Sequence, residues 1–232
     1  MRTALSLIVS LLITLPALAD NAEELWQKAR QEMLTGEKVS TKEAKREHFS
    51  KGVEYARQAI EADPSNPDCY MWHSANVGRL CQTQPLKEQI KAVPVMMEDL
   101  SMILETLGHT DYYAAWQALA EIYYHHPFKS TNSAICFMRK ALSDFPEDLK
   151  EPYIYEFLSN ALYKRNWSAE KRLSQQRKDA RAFNEKHDSA VERYSHYDGV
   201  ASCLRWSDKS IGEMSDREEA LLIQHFISIK LK

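Results

Sequence analysis

Apolar positions recur at steps of three and four residues in one segment after another, the period of helices that bury one face. In residues 41–63, Phe49, Gly52, Val53, Ala56, Ala59 and Ile60 form one such stripe, and Pro64-Ser65-Asn66-Pro67 ends it. A second helix follows at once over 67–81, with Pro67 in the first turn, where a missing amide is harmless. Residues 86–107 predict a longer helix with Val93, Met97, Leu100, Leu104 and Leu107 on one side. Pro94 should kink it or mark its true start.

The next hairpin is the clearest. YYAAWQALAEIYY is closed by His125-His126-Pro127, and STNSAICFMRKALSDF opens with cap-forming Ser and Thr and stops before Pro146. Its stripe is Ala134, Ile135, Phe137, Met138, Ala141, Leu142 and Phe145. Another helix over 151–167 carries Ile154, Phe157, Leu158, Ala161 and Leu162. Such a succession leaves no room for a sheet, and the predicted class is all-α.

Set one above the other, GVEYARQAIEADP and AICFMRKALSDFP align without a gap, so that Gly52 meets Ala134, Ala56 meets Met138, Ala59 meets Ala141 and Pro64 meets Pro146. The helices that precede them follow suit. Trp116, Leu119, Ala120 and Tyr123 form a spacing that Tyr155, Leu158, Ser159 and Leu162 repeat more weakly. Small residues let paired helices approach closely and bulky ones fill the adjoining gap. This pattern resembles the tetratricopeptide repeat. The interval from Pro64 to Pro146 exceeds two ideal repeats, so the array is irregular, with the helix around Met97 as an insertion. The whole stretch 49–165 resembles the degenerate repeats of the regulator-of-microtubule-dynamics family and its bacterial relatives. It also resembles the tetratricopeptide component of tripartite periplasmic transporters. Both resemblances imply an α-α hairpin superhelix that binds a partner, and neither carries a diagnostic active-site motif.

Past residue 165 the chain turns polar. Residues 168–194 predict one long helix with a thin apolar stripe of Leu173, Ala180, Phe183 and Ala190, resembling a capping helix that shields the last repeat. Gly199 interrupts it, and residues 216–230 form a last amphipathic helix whose Leu221, Leu222, Phe226 and Ile229 must pack on the domain or on a partner. The predicted organisation is a repeat region over 20–165 and capping helices over 166–232 of the same domain.

The N-terminus reads differently. Arg2, an apolar run from Ala4 to Leu15, and Pro16-Ala17-Leu18-Ala19 before Asp20 are the three parts of a secretory signal peptide, with the cut after Ala19. The run is shorter than the roughly 20 residues a spanning helix needs, so an uncleaved anchor is the minor alternative. The mature chain is expected in the periplasm or outside the cell. Loss of residues 1–19 removes one of 30 basic residues and none of 33 acidic ones, leaving 29 against 33 and a formal charge of −4. That balance gives no reason to expect nucleic acid or an anionic membrane as partner. With only 6 Gly there is also little provision for hairpin turns.

Four cysteines, Cys69, Cys81, Cys136 and Cys203, would then meet an oxidising compartment. Their spacing matches no zinc pattern and no Cys-x-x-Cys pair. Cys69 and Cys81 share one helix, where 12 residues at 1.5 Å separate them by roughly 18 Å, too far to bridge. Buried free thiols and a single disulfide both remain open.

No catalytic motif is present: there is no G-x-S-x-G, no Gly-rich phosphate loop and no H-E-x-x-H. His125-His126 point different ways and lack a ligand at metal spacing, so no metal and no cofactor are expected. His73 is either a buried hydrogen-bonded histidine or a groove residue. Glu23-Glu24 and Glu218-Glu219 read as solvated helix-end charges. Aromatic residues offer more. Trp116 and Tyr123 occupy packing positions, whereas Tyr70, Trp72, His73, Tyr112, Tyr113 and Lys129 are the residues placed in a ligand or partner groove. The resulting expectation is an exported helical-repeat adaptor for a protein partner, not an enzyme. The alternative is a periplasmic transport accessory, or a small-ligand carrier with an aromatic pocket.

Overall fold

A computed structural model of the chain describes residues 21–127, 129–144, 152–182 and 213–230. Residues 1–19, read above as a signal peptide, and Phe145, Pro146, Phe183, Ala190, Gly199 and Cys203 lie outside the described residues. All regular structure among the described residues is helical. In chain order the helices are α1 (21–38), α2 (Lys42–Ala62), α3 (Pro67–Gln82), α4 (Leu86–Ser101), α5 (Tyr113–His125), α6 (Thr131–Asp144), α7 (Pro152–Arg165), α8 (Ala169–Ala182) and α9 (Asp216–Lys230). They fall into two compact units, Met1–Leu107 and Gly108–Lys232.

In the first unit each helix is bounded by the residues the chain supplies for it. Thr41 caps α2 by accepting from the Ala44 amide, and Asn66 caps α3 by accepting from the Asp68 amide at 3.0 Å, with Pro67 opening the helix. The buried stripe of α2 is Phe49, Gly52, Ala56 and Ala59. Ala22 and Leu25 of α1 meet Ala59 and Cys69 there, under Trp26, Tyr55 and Ile60. The closest approach is at Gly52. A Cβ on it would stand 1.9 Å from Asn76 Oδ1 and 2.4 Å from Cγ, so only glycine lets α2 lie this near to α3.

α4 packs on α3 and starts at Leu86 with Pro94 inside it, so the proline does not mark its start. Its last turn, Met102–Thr106, widens so that the Leu107 amide reaches Met102 O at 2.9 Å, a five-residue bond. Gly108 follows with φ of +76°, the left-handed conformation that ends many helices. The buried positions are Met96, Asp99, Leu100, Ile103 and Leu104. Val93, Met97 and Leu107, assigned to the stripe from the sequence, are only half-buried.

In the second unit α5 pairs with α6, α6 with α7, and α7 with α9. Packed from two sides, α6 buries Ala134, Ile135, Cys136, Phe137, Met138, Ala141 and Leu142. Trp116, Leu119 and Ala120 of α5 are fully buried, the Trp116 ring lying 6.0 Å from Phe137 while Tyr123 meets Phe137 edge-on at 5.0 Å. Asn166, at φ +53°, ends α7 in the left-handed region that asparagine tolerates. A reciprocal capping box starts α9: Ser215 Oγ accepts from the Glu218 amide, and Glu218 accepts from the Ser215 amide at 2.8 Å.

The C-terminal helices depart from the sequence reading. On α8 it is Arg172 that is fully buried, while Leu173 is 37% exposed. On α9 the inward positions are Asp216, Glu219, Ala220, Ile223 and Ile227, and Leu221 and Ile229 stand outside at 55% and 60% exposure. Glu219 is therefore no solvated helix-end charge. The reason in each case is pairing: a charge whose partner arrives from another helix can be buried where a local apolar count would place leucine.

Candidate functional site: the aromatic faces of the two units

The aromatic residues of α3 diverge. Tyr70 is buried and its hydroxyl donates to Pro64 O at 3.0 Å, tying the helix to the turn before it. Burial also raises its pKa. Trp72 faces α1, with the Arg30 guanidinium 5.6 Å above its ring. His73 turns to α4, where Nδ1 lies 2.8 Å from Asp99 Oδ2.

Asp99 sits at 6% exposure, and its desolvation pushes its pKa up against the lowering pull of His73. Sequence inspection missed it because it lies among apolar residues on a helix otherwise charged only on its outer side. Cys69, one turn before His73, is no nucleophile for this histidine–carboxylate pair: burial pushes its thiol up to about 12, opposite to activation. Cys69 and Cys81 are both buried free thiols on α3, and Cys136 is buried in α6. Asn76, fully buried one turn beyond Trp72, donates Nδ2 to Trp72 O at 2.8 Å and to Ala29 O at 3.1 Å, joining α3 to α1. Its Oδ1 has no hydrogen-bond donor among the described residues and lies along the Cα–H direction of Gly52, a weak C–H···O contact.

The second unit carries a different set, on α5 and α7. Tyr153, on α7, donates its hydroxyl to Glu121 of α5 and accepts from Gln117 Nε2 at 3.3 Å. Farther along the same pair of helices, Lys164 donates to Tyr124 O at 2.5 Å and lies 4.2 Å from that ring's centre. These links set the two helices side by side, with Tyr113 of α5 and Tyr153 and Tyr163 of α7 exposed at 39%, 46% and 38%. Tyr112 lies at the start of α5, and Lys129 covers the Tyr123 ring at 4.4 Å. Of the six proposed groove residues, Tyr70, Trp72 and His73 thus belong to the first unit and Tyr112, Tyr113 and Lys129 to the second.

Among the described residues no group of three His, Cys, Asp or Glu could hold a metal ion, and no helix is long and apolar enough to cross a membrane.

The hairpin, insertion helix and aromatic α3 of the first unit can now be set beside known proteins. Residues 3–107 match the model of the family described as regulator of microtubule dynamics protein 1-3. The matched stretch ends at the residue where the first compact unit ends. That unit is thus helical and similar in sequence to the regulator family, over a stretch that starts earlier and stops sooner than the resemblance read at 49–165. No curated protein and no solved structure matches the chain.

Proposed function

We propose that the protein is an exported adaptor of the tetratricopeptide type, which holds a protein partner against the α5–α7 face. The observation that carries the reading is the exposure of Tyr113, Tyr153 and Tyr163 on neighbouring helices, beside the interior packing of Trp116, Leu119, Ala120, Tyr123, Ala134, Met138 and Ala141. Tyrosine suits such a surface, since its ring gives contact area at low entropic cost and its hydroxyl accepts or donates. The family similarity of the first unit supports an interaction protein, and the Arg2-to-Ala19 segment supports export.

Two measurements test this. A photo-reactive phenylalanine analogue at Tyr113 or Tyr153 in living cells should give a discrete adduct with one protein of the extracytoplasmic fraction. The same probe at Glu43, on the exposed side of α2, should give none; adducts of equal strength from all three positions would reject a partner face on α5 and α7. Mass spectrometry of the natural product should find Asp20 as its first residue, and an intact Met1 would reject cleavage.

A further inference from the structure

α9 is joined to the rest of its unit by chemistry unlike that of any other helix described here. On its apolar side Ala220, Ile223 and Ile227 are buried, Phe226 meets Tyr155 with ring centres 5.2 Å apart, and Ser159 of α7 donates to Ala220 O at 3.2 Å. On its first turn Asp216 and Glu219, both fully buried, face three arginines from three different helices. Asp216 is gripped by Arg165, Nε to Oδ2 at 2.9 Å and Nη2 to Oδ1 at 2.8 Å, and also accepts from the Trp167 amide at 2.8 Å. Glu219 receives Arg139 Nη2 on both oxygens at 2.9 Å, and Arg172 Nη2 as well.

Both carboxylates are therefore already engaged where Arg172 approaches them. Its Nε lies 3.5 Å from Asp216 Oδ1, and neither Nε nor Nη1 finds a hydrogen-bond acceptor among the described residues, although the side chain is wholly buried. Buried ion clusters hold a structure firmly only when their donors are satisfied, because desolvation offsets so much of the attraction. In this one Arg172 of α8 leaves two donors short of an acceptor among the described residues, and Arg139 of α6 leaves its Nε short of one.

We propose that α9 is a self-bound latch, which leaves the α7 surface as a unit while α5, α6 and α7 stay folded, and so opens the face of α7 carrying Tyr155 and Ser159. The weak point is the Arg172 corner of the cluster, and Glu219 is the residue on which closure turns.

Hydrogen exchange of the full chain, followed by mass spectrometry of peptides from α5, α6 and α9, tests this directly. In the wild type the amides of α9 should exchange at least tenfold faster than those of α5 and α6. E219Q should accelerate α9 a further tenfold or more and leave α5 and α6 unchanged. Joint replacement of the cluster, Arg139→Met, Arg172→Met and Glu219→Leu, should slow α9 below its wild-type rate. A fluorescent peptide of residues 213–230 should bind E219Q and bind the wild type at least tenfold more weakly. Equal protection of α9, α5 and α6 in the wild type would overturn the proposal, and that reading needs no variant to fold.

Discussion

Where α1, α2 and α3 meet, the interior is neutral. A glycine is pressed against an asparagine whose amide donates to two backbone carbonyls, and the surrounding residues are alanine, phenylalanine and a thiol. Where α6, α7, α8 and α9 meet, the interior is ionic, with Arg139, Arg172, Asp216 and Glu219 at 0–1% exposure. In the first unit closeness depends on the absence of a side chain at Gly52. In the second it depends on charges that must all be present together. A clash of atoms can be relieved by trimming the partner, while a buried charge left alone cannot be relieved in place.

That contrast can be broken from either side, starting with the largest effect. Glu219→Leu leaves Arg139 and Arg172 buried without their shared carboxylate, and should cost the second unit about 4 kcal/mol. Denaturant-dependent hydrogen exchange in α7 and α9 would read it. A cost under about 1 kcal/mol would mean that water already reaches the cluster.

Gly52→Ala drives a methyl group into Asn76 and should cost the first unit about 3 kcal/mol. Adding Asn76→Ala removes the clashing amide, so the double variant should be no less stable than Asn76→Ala alone, as urea midpoints would report. Failure of this rescue would place the strain in the α2 backbone.

Smaller still is Tyr70→Phe, which deletes one bond to Pro64 O and should cost about 1 kcal/mol. The smallest expected effect concerns Asp99. Its pKa is raised in the folded state, first by burial, so between its ordinary value of 3.8 and the raised one the folded chain binds more protons than the unfolded chain. Stability should therefore fall as pH rises through that window and level off above it. Asp99→Asn should flatten this slope in acid melting curves, and an unchanged slope would assign it to other carboxylates.

The two interiors were not equally legible in the sequence. The stripes through Phe49, Ala56 and Ala59 and through Trp116, Leu119 and Ala120 follow from local periodicity, because burial there is apolar and each helix declares its own inner side. Small residues at Gly52 and Ala134 signalled close packing, although the asparagine waiting at position 76 had no local sign. The ionic interior was invisible for a physical reason. Arg139 meets Glu219 across 80 residues of chain, and Arg172 meets it across 47. Each charge taken alone scores as a solvated position. Without those pairings α9 shows apolar residues on more than one side, and Leu221, Leu222, Phe226 and Ile229 look as fit for burial as Ala220, Ile223 and Ile227. For the candidate site, Tyr113 was readable as an aromatic outside the repeat's packing positions. The link of Tyr153 to Gln117 and Glu121 was not, since it depends on α7 reaching α5.

The measurement closest to the central contrast is a double-mutant cycle between Glu219→Leu and Arg172→Met, with unfolding free energies taken from urea titrations read by hydrogen exchange in the second unit. The account predicts strong coupling, the pair of changes costing about 2 kcal/mol less than the two single costs added together, because removing Arg172 along with Glu219 leaves only Arg139 without the shared carboxylate. Additive costs would contradict it, and would mean that Arg172 and Glu219 do not share a desolvated contact.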